Sequence, residues 1–308
     1  MATTAAASSS SSASSSSAAA EPPPFAREMR RRRSLRRMSQ LELANLAGTT
    51  QRHLSFIESG RSMPGRAMVV RLAESLGLTL RERNSLLLSA GYAPVYAESA
   101  RDATSIGPAM EALRSILTGH LPYPAVVAGP RGELVLANAA FGVLTQGAAA
   151  RLLEPPVNVL RLALHPQGMG PRVVNLAAWG RHITESLRAR AAAHPDPGLD
   201  PLIEELTGYL PASAPAAASS ATPVSASTPA PAPAAAPVPD EHLGFAVPLR
   251  LRTPEGELRL LTTLTSFATA VDVTLAELHL EAFLPADEAT AELLRRREEA
   301  RTATGPRY

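Results

Sequence analysis

Residues 49–61 read TTQRHLSFIESGR. Thr50 is a residue type that caps helix N-termini and Gly60 one that ends helices, so the pattern predicts a helix over residues 51–58. On that helix Leu54 and Ile57, three positions apart, share one side. Gln51, Arg52, Ser55 and Phe56 share the other. An apolar side this narrow leaves an outward face of amide, guanidinium and hydroxyl groups. Such groups make bidentate hydrogen bonds to adenine and guanine edges in the DNA major groove. Phe56 has two readings at this stage, against a thymine methyl or over the core of its own domain.

The flanking sequence builds a domain around this helix. Ser39 with Glu42 three residues on forms a capping box, which starts a helix that Gly48 ends. Leu43, Ala44 and Ala47 of that helix are placed to meet Leu54 and Ile57. Small Ala44 and Gly48 are read as allowing close approach, and Gly48 as allowing a sharp turn. A first helix is read over residues 25–37, a fourth in RAMVVRLAESLG and a fifth in LRERNSLLLSAG. Residues 24–96 are therefore predicted as an all-α, five-helix domain.

Charge singles out the same region. Residues 1–100 hold 13 Arg against 7 acidic residues, while the rest holds 17 Arg against 21, and no lysine occurs. A basic first third points to an anionic partner for that part alone. The densest run, REMRRRRSLRR at 27–37, is read as a solvated arm. Arg30, Arg31, Arg32 and Arg33 would there contact phosphates, adding affinity without sequence information. The absence of cysteine excludes disulfides and thiolate metal sites. No run approaches the roughly 18 apolar residues of a membrane span, and the Ser/Ala tract at 1–23 lacks signal-peptide features and is read as disordered. The expected location is the cytoplasm, in association with the nucleoid.

Residues 97–107 read as a polar linker, and 108–302 as a mixed α+β domain. YPAVVA and ELVLAN form one predicted hairpin, FAVPLRLR and ELRLLTTLTSF a second, AELHLEAFLP a fifth strand, and DEATAELLRRREEA a closing helix. Val247, Leu249 and Leu251 alternate with more polar neighbours, as a half-buried strand does. The Pro/Ala/Ser stretch 211–239 is read as a disordered insertion within this domain. Phe141, Leu160, Leu162, Trp179 and Phe267 either line a pocket or fill a solid core, and Arg161, His165 and Arg172 are candidates to hold a ligand carboxylate. His279 and Glu281 lie two apart on one strand face, too isolated for a metal centre. No Walker loop, dinucleotide loop or G-x-S-x-G turn is present, so no cofactor, metal or catalytic residue is assigned.

SQLELANLAGTTQRHLSFIESGRSMP resembles the Cro/C1-type helix-turn-helix domain of Xre-like bacterial regulators, with many positions agreeing in one register. The resemblance implies that Gln40 binds phosphate at a helix N-terminus. It implies that Gln51, Arg52 and Phe56 face bases, and that Ser59 to Arg61 follow the backbone; Thr50, Ser55 and Arg66 complete the expected DNA-facing set. RLAESLGLTLRERNSLLLSAGYAPVY, NVLRLALHP, RVVNLAAW and VDVTLAELHLEAFLPADEATAELL resemble the MmyB-like transcription regulators. That resemblance implies a PAS-like domain with a five-stranded antiparallel sheet and a fatty-acid-like ligand. The expectation is a multidomain, homodimeric regulator of double-stranded DNA, not an enzyme. The alternatives are a protein-interaction adaptor with sequence-blind DNA binding, and an enzyme with a regulatory helix-turn-helix domain.

Overall fold

The computed structural model describes residues 23–211, 246–267 and 270–303. The Ser/Ala tract up to residue 22 and the insertion from 212 on, both read as disordered, lie outside those residues. The chain divides into two compact units, one running to Pro94 without 79–81, the other holding those three residues and everything from Val95.

The first unit contains α1 (Pro24–Leu35), α2 (Gln40–Leu46), α3 (Gln51–Glu58), α4 (Arg66–Ser75) and, from Glu82 on, α5 (Leu80–Ser89). The capping box forms as predicted. Ser39 Oγ accepts from the Glu42 N–H at 3.1 Å, and Glu42 accepts from the Ser39 N–H at 2.7 Å. Thr50 Oγ1 accepts from the His53 N–H at 3.1 Å; losing a cap of this kind costs about 0.5–2 kcal/mol. Phe25, Met29, Leu43, Ala44, Leu54, Ile57 and Leu72 are buried together at the centre.

Three local details differ from the sequence reading. The first helix stops at Leu35, because Arg37 takes a left-handed φ of 54° and turns the chain. Gly48 is needed for its φ of +62°, not for close approach, since an added Cβ would meet nothing nearer than Arg71 at 3.9 Å. The arginine run is not a solvated arm. It forms α1, with Arg32 and Arg33 turned into the unit: Arg32 bonds Glu28 at 2.6 Å and Glu82 at 2.8 Å, and Arg33 bonds Glu58 at 2.6 Å. Two of these carboxylates come from distant helices, which only the fold brings near. Arg30 and Arg31 stay exposed, and Arg31 is paired with Glu28 at 2.8 Å.

The second unit contains α6 (Gly107–Gly119), β1 (Ala125–Ala128), β2 (Leu134–Ala137), α7 (Gly142–Thr145), α8 (Val159–Leu164), α9 (Leu176–Ala193) and α10 (Leu199–Gly208). β3 (Leu249–Thr253), β4 (Gly256–Ser266), α11 (Val273–Ala276), β5 (His279–Pro285) and α12 (Glu288–Ala303) follow. The five strands form one antiparallel sheet in the order β2-β1-β5-β4-β3. β1 is apolar on both faces, and β5 beside it is apolar on one face and mixed on the other. On one face Ala125, Val127, Leu280 and Ala282 pack with Met110, Leu113 and Leu117 of α6. On the other, Val126, Leu249, Leu260 and Phe283 pack with Leu162, Trp179, Leu187 and Leu206 from α8, α9 and α10.

The stretch read as a linker is largely held by this second unit. The Ser99 N–H donates to Asp272 Oδ2 at 3.2 Å, the Thr274 hydroxyl donates to Ser99 O at 2.7 Å, and Ile106 is buried beside α6.

Candidate nucleic-acid interface and ligand cavity

On α3 the two predicted faces separate as the spacing requires. Leu54 and Ile57 are 0% exposed, Gln51 and Arg52 are exposed, and Ser55 and Phe56 are half-buried. The Arg52 guanidinium carbon lies 5.5 Å from the centre of the Phe56 ring, a cation–π distance. Phe56 stands outside the described buried cluster of this unit, so its ring packs beside Arg52 at the surface. Thr50, Ser59, Arg61 and Arg66 are exposed. The Arg61 N–H and the Ser59 hydroxyl both donate to Phe56 O, at 2.9 and 3.1 Å, which fixes the exit from the helix. Gly60 allows that exit with φ +73°, and an added Cβ would stand 2.4 Å from Pro23 Cδ.

What holds α3 in place is a buried carboxylate that the sequence reading did not single out. Glu58 is 6% exposed. It accepts two bonds from Arg33 of α1, at 2.6 and 2.8 Å, and one from the Gln40 side-chain amide of α2, at 2.9 Å. Arg33 also donates to Met38 O at 2.7 Å. The hydrogen bond to Glu58 raises the Arg33 pKa above its ordinary value. Three helices thus meet at one ion pair with its lone pairs and protons largely matched. Gln40, expected on phosphate, directs its side-chain amide to Glu58.

In the second unit a cavity of about 350 Å³ lies between the sheet and helices α8 and α9. Phe141, Leu160 and Trp179, three of the residues named from sequence, line it with Leu144, Leu187 and Phe283. The other five do not join them. Leu162 is buried in the core of the unit. Arg161 is exposed and bonded to Glu205 at 2.7 and 2.9 Å. His165 sets its ring edge against Tyr209 at 4.8 Å and accepts from the Gln167 N–H at 2.9 Å; burial lowers its pKa, helped by Arg151. Phe267 packs on the opposite face of the sheet. Arg172 donates to Val143 O and Leu144 O, tying down α7.

The polar lining comes from other residues: His182, Ser186 and Arg190 of α9, Thr262 of β4, and His279 and Glu281 of β5. The signal for them was periodic. Trp179, Ile183, Leu187 and Arg190 recur at helical spacing, and His279, Glu281 and Phe283 at strand spacing. His279 Nε2 lies 3.3 Å from Glu281 Oε1. Burial lowers the Arg190 pKa, opposed by the fields of Glu281, Asp196 and Glu133. Among the described residues no group of three or more His, Asp or Glu is placed to hold a metal ion, and no helix is long and apolar enough to cross a membrane.

Comparison with known proteins places both units. A family model for the MmyB-like transcription regulator ligand binding domain matches residues 109–296, more than half of the chain. A helix-turn-helix model matches residues 29–83. Among solved structures, the restriction-modification controller protein C.AhdI from Aeromonas hydrophila is 26% identical with a TM-score of 0.19, covering 20% of this chain and 92% of its own. An RNA-binding light-oxygen-voltage receptor is 14% identical with a TM-score of 0.22, covering 91% of this chain and 64% of its own. No curated protein gives a match.

Proposed function

Because this chain belongs to the family of MmyB-like transcription regulators and carries a helix-turn-helix domain ahead of the ligand binding domain, we propose that it reads a specific DNA sequence through α3 and adjusts that binding to an apolar small molecule. The observation that carries the reading is the split of α3 into a fully buried apolar side and an outward Gln51, Arg52, Ser55 and Phe56, held in place by Glu58. Gln51 and Arg52 reach base edges. Thr50, Ser59, Arg61 and Arg66 lie along the phosphates, with the backbone N–H groups at the start of α2 beside Gln40 and with Arg30 and Arg31 of α1.

Two protomers place their α3 helices in successive major grooves, so the operator is a near-palindrome with half-sites about 34 Å apart. The protein acts in the cytoplasm, on the nucleoid, as a regulator and not as an enzyme. The ligand is fatty-acid-like in the sense of a largely hydrocarbon chain, as the walls of the cavity favour. It changes DNA affinity only to the degree that it binds the competent and incompetent states unequally.

Selection of bound duplexes from a random pool tests the reading. A near-palindromic motif is expected; recovery of sequences indistinguishable from the input pool would leave only sequence-blind binding.

A further inference from the structure

Phe56 is the member of the outward set of α3 that hydrogen bonding to base edges does not employ. It is half-buried, yet it belongs neither to the buried cluster of the helical unit nor to the partly buried residues packed against that cluster. Its ring centre lies 5.5 Å from the guanidinium carbon of Arg52, one helical turn back. Its backbone carbonyl accepts from the Arg61 and Ser62 N–H groups, at 2.9 and 3.2 Å, so the turn that ends α3 fixes where the side chain starts.

Arg52 differs from the arginines of α1. Arg31, Arg32 and Arg33 each close on a carboxylate. Among the described residues Arg52 closes no such pair, and its side chain lies over an aromatic ring. A ring beneath a guanidinium restricts the directions the cation takes, while the N–H donors in the guanidinium plane stay open.

Those donors match the O6 and N7 acceptors of guanine in the major groove, and a guanidinium that makes both bonds lies close to the plane of that base pair. Successive base pairs are about 3.4 Å apart. A ring centred 5.5 Å from the guanidinium carbon therefore comes within reach of a neighbouring pair. Polar base edges under a phenyl ring lose water and gain no hydrogen bond. Thymine also presents a methyl group there, which an apolar side chain covers without that loss. Cytosine acquires the same group when methylated at C5.

We propose that Arg52 and Phe56 act as one reader of two adjoining base pairs, Arg52 bonding a guanine and Phe56 covering the C5 methyl of a neighbouring thymine or C5-methylated cytosine. This rests on the DNA-reading role of α3 proposed above.

The test uses the full-length protein and the operator selected from the random pool. Repeating the selection with Arg52→Ala locates the guanine, as the position whose preference relaxes. A thymine is expected in a base pair adjoining it. Replacing that thymine by uracil removes the methyl alone and is expected to weaken binding about fourfold, the scale of one buried methyl-sized group. With cytosine at that position, C5 methylation should recover about the same factor. Phe56→Ala should bind the thymine and uracil duplexes equally. Uracil binding as tightly as thymine, no thymine beside the guanine, or no guanine whose preference relaxes in Arg52→Ala overturns the paired reading while leaving α3 a base reader. Failure of the unaltered protein to select any motif overturns the reading of α3 itself. The thymine-to-uracil comparison in the unaltered protein decides the question even if Phe56→Ala folds poorly.

Discussion

Each unit draws a positive and a negative side chain partly or wholly out of water, and the two pairs are treated in opposite ways. In the helical unit Arg33 and Glu58 close on each other through two hydrogen bonds, with Gln40 supplying a third to the carboxylate. In the sheet unit Arg190 and Glu281 line one cavity, yet Arg190 bonds a backbone carbonyl and Glu281 bonds His279. A closed pair fixes geometry, because either charge without the other is left stranded in low dielectric. An open pair fixes nothing by itself and leaves hydrogen-bonding capacity for something that enters. The first suits a helix presenting a rigid pattern, the second a pocket awaiting a molecule.

The comparison breaks first at the two carboxylates. Glu58→Ala strands Arg33 and is expected to cost the helical unit about 3–5 kcal/mol in denaturant unfolding. Glu281→Gln removes a charge that has few partners and is expected to leave stability within about 1 kcal/mol, or raise it. Equal losses at the two positions would end the distinction between closed and open pairs.

A middle-sized effect tests what the closed pair is for. Arg52→Ala should weaken binding to the selected operator by about 1–3 kcal/mol and leave binding to scrambled duplex almost unchanged. If both duplexes weaken alike in competition assays, Arg52 contacts phosphate and the rigid helix presents no base-reading pattern.

The smallest effect depends on pH. The hydrogen bond from Arg31 holds the Glu28 carboxyl below its ordinary 4.5; burial opposes this and Arg32 adds to it. A carboxyl with a depressed folded pKa contributes stability that is fully present above the unfolded value and is lost as pH falls through the folded one. The helical unit should therefore lose stability on acidification below about pH 4.5, and Glu28→Gln should flatten that slope. An unchanged acid limb in the Gln variant would remove Glu28 from the account.

Much of this molecule was legible along the chain. The capping box at Ser39, the Thr50 cap and the Leu54/Ile57 spacing are local signals, so α2 and α3 appear where the sequence places them. The strands were legible for the same reason, as short β-prone runs flanking turns and, at Leu249 and Leu251, as a period of two. Partnerships were not legible. Arg33 and Glu58 lie 25 residues apart, and Arg32 and Glu82 lie 50 apart, so a run of arginines looked like a solvated arm until the helices met. The cavity shows the same limit. Its apolar wall at Phe141, Leu160 and Trp179 was named from sequence, but Arg161 and Arg172 were offered as its cations before Glu205 and the carbonyls of α7 could be seen to engage them.

β5 pairs with β1 on one side and β4 on the other, and Leu280 and Ala282 on it are buried. In the language of hydrogen exchange, its amides are among the last in this unit to open, waiting for near-global unfolding instead of local fraying. The same strand carries His279, Glu281 and Phe283 into the cavity. A molecule that binds only the folded form then slows exchange at the slowest amides, raising their opening free energy with the logarithm of its concentration over Kd. The central strand is at once the unit's most durable element and the one through which an occupant would report its presence.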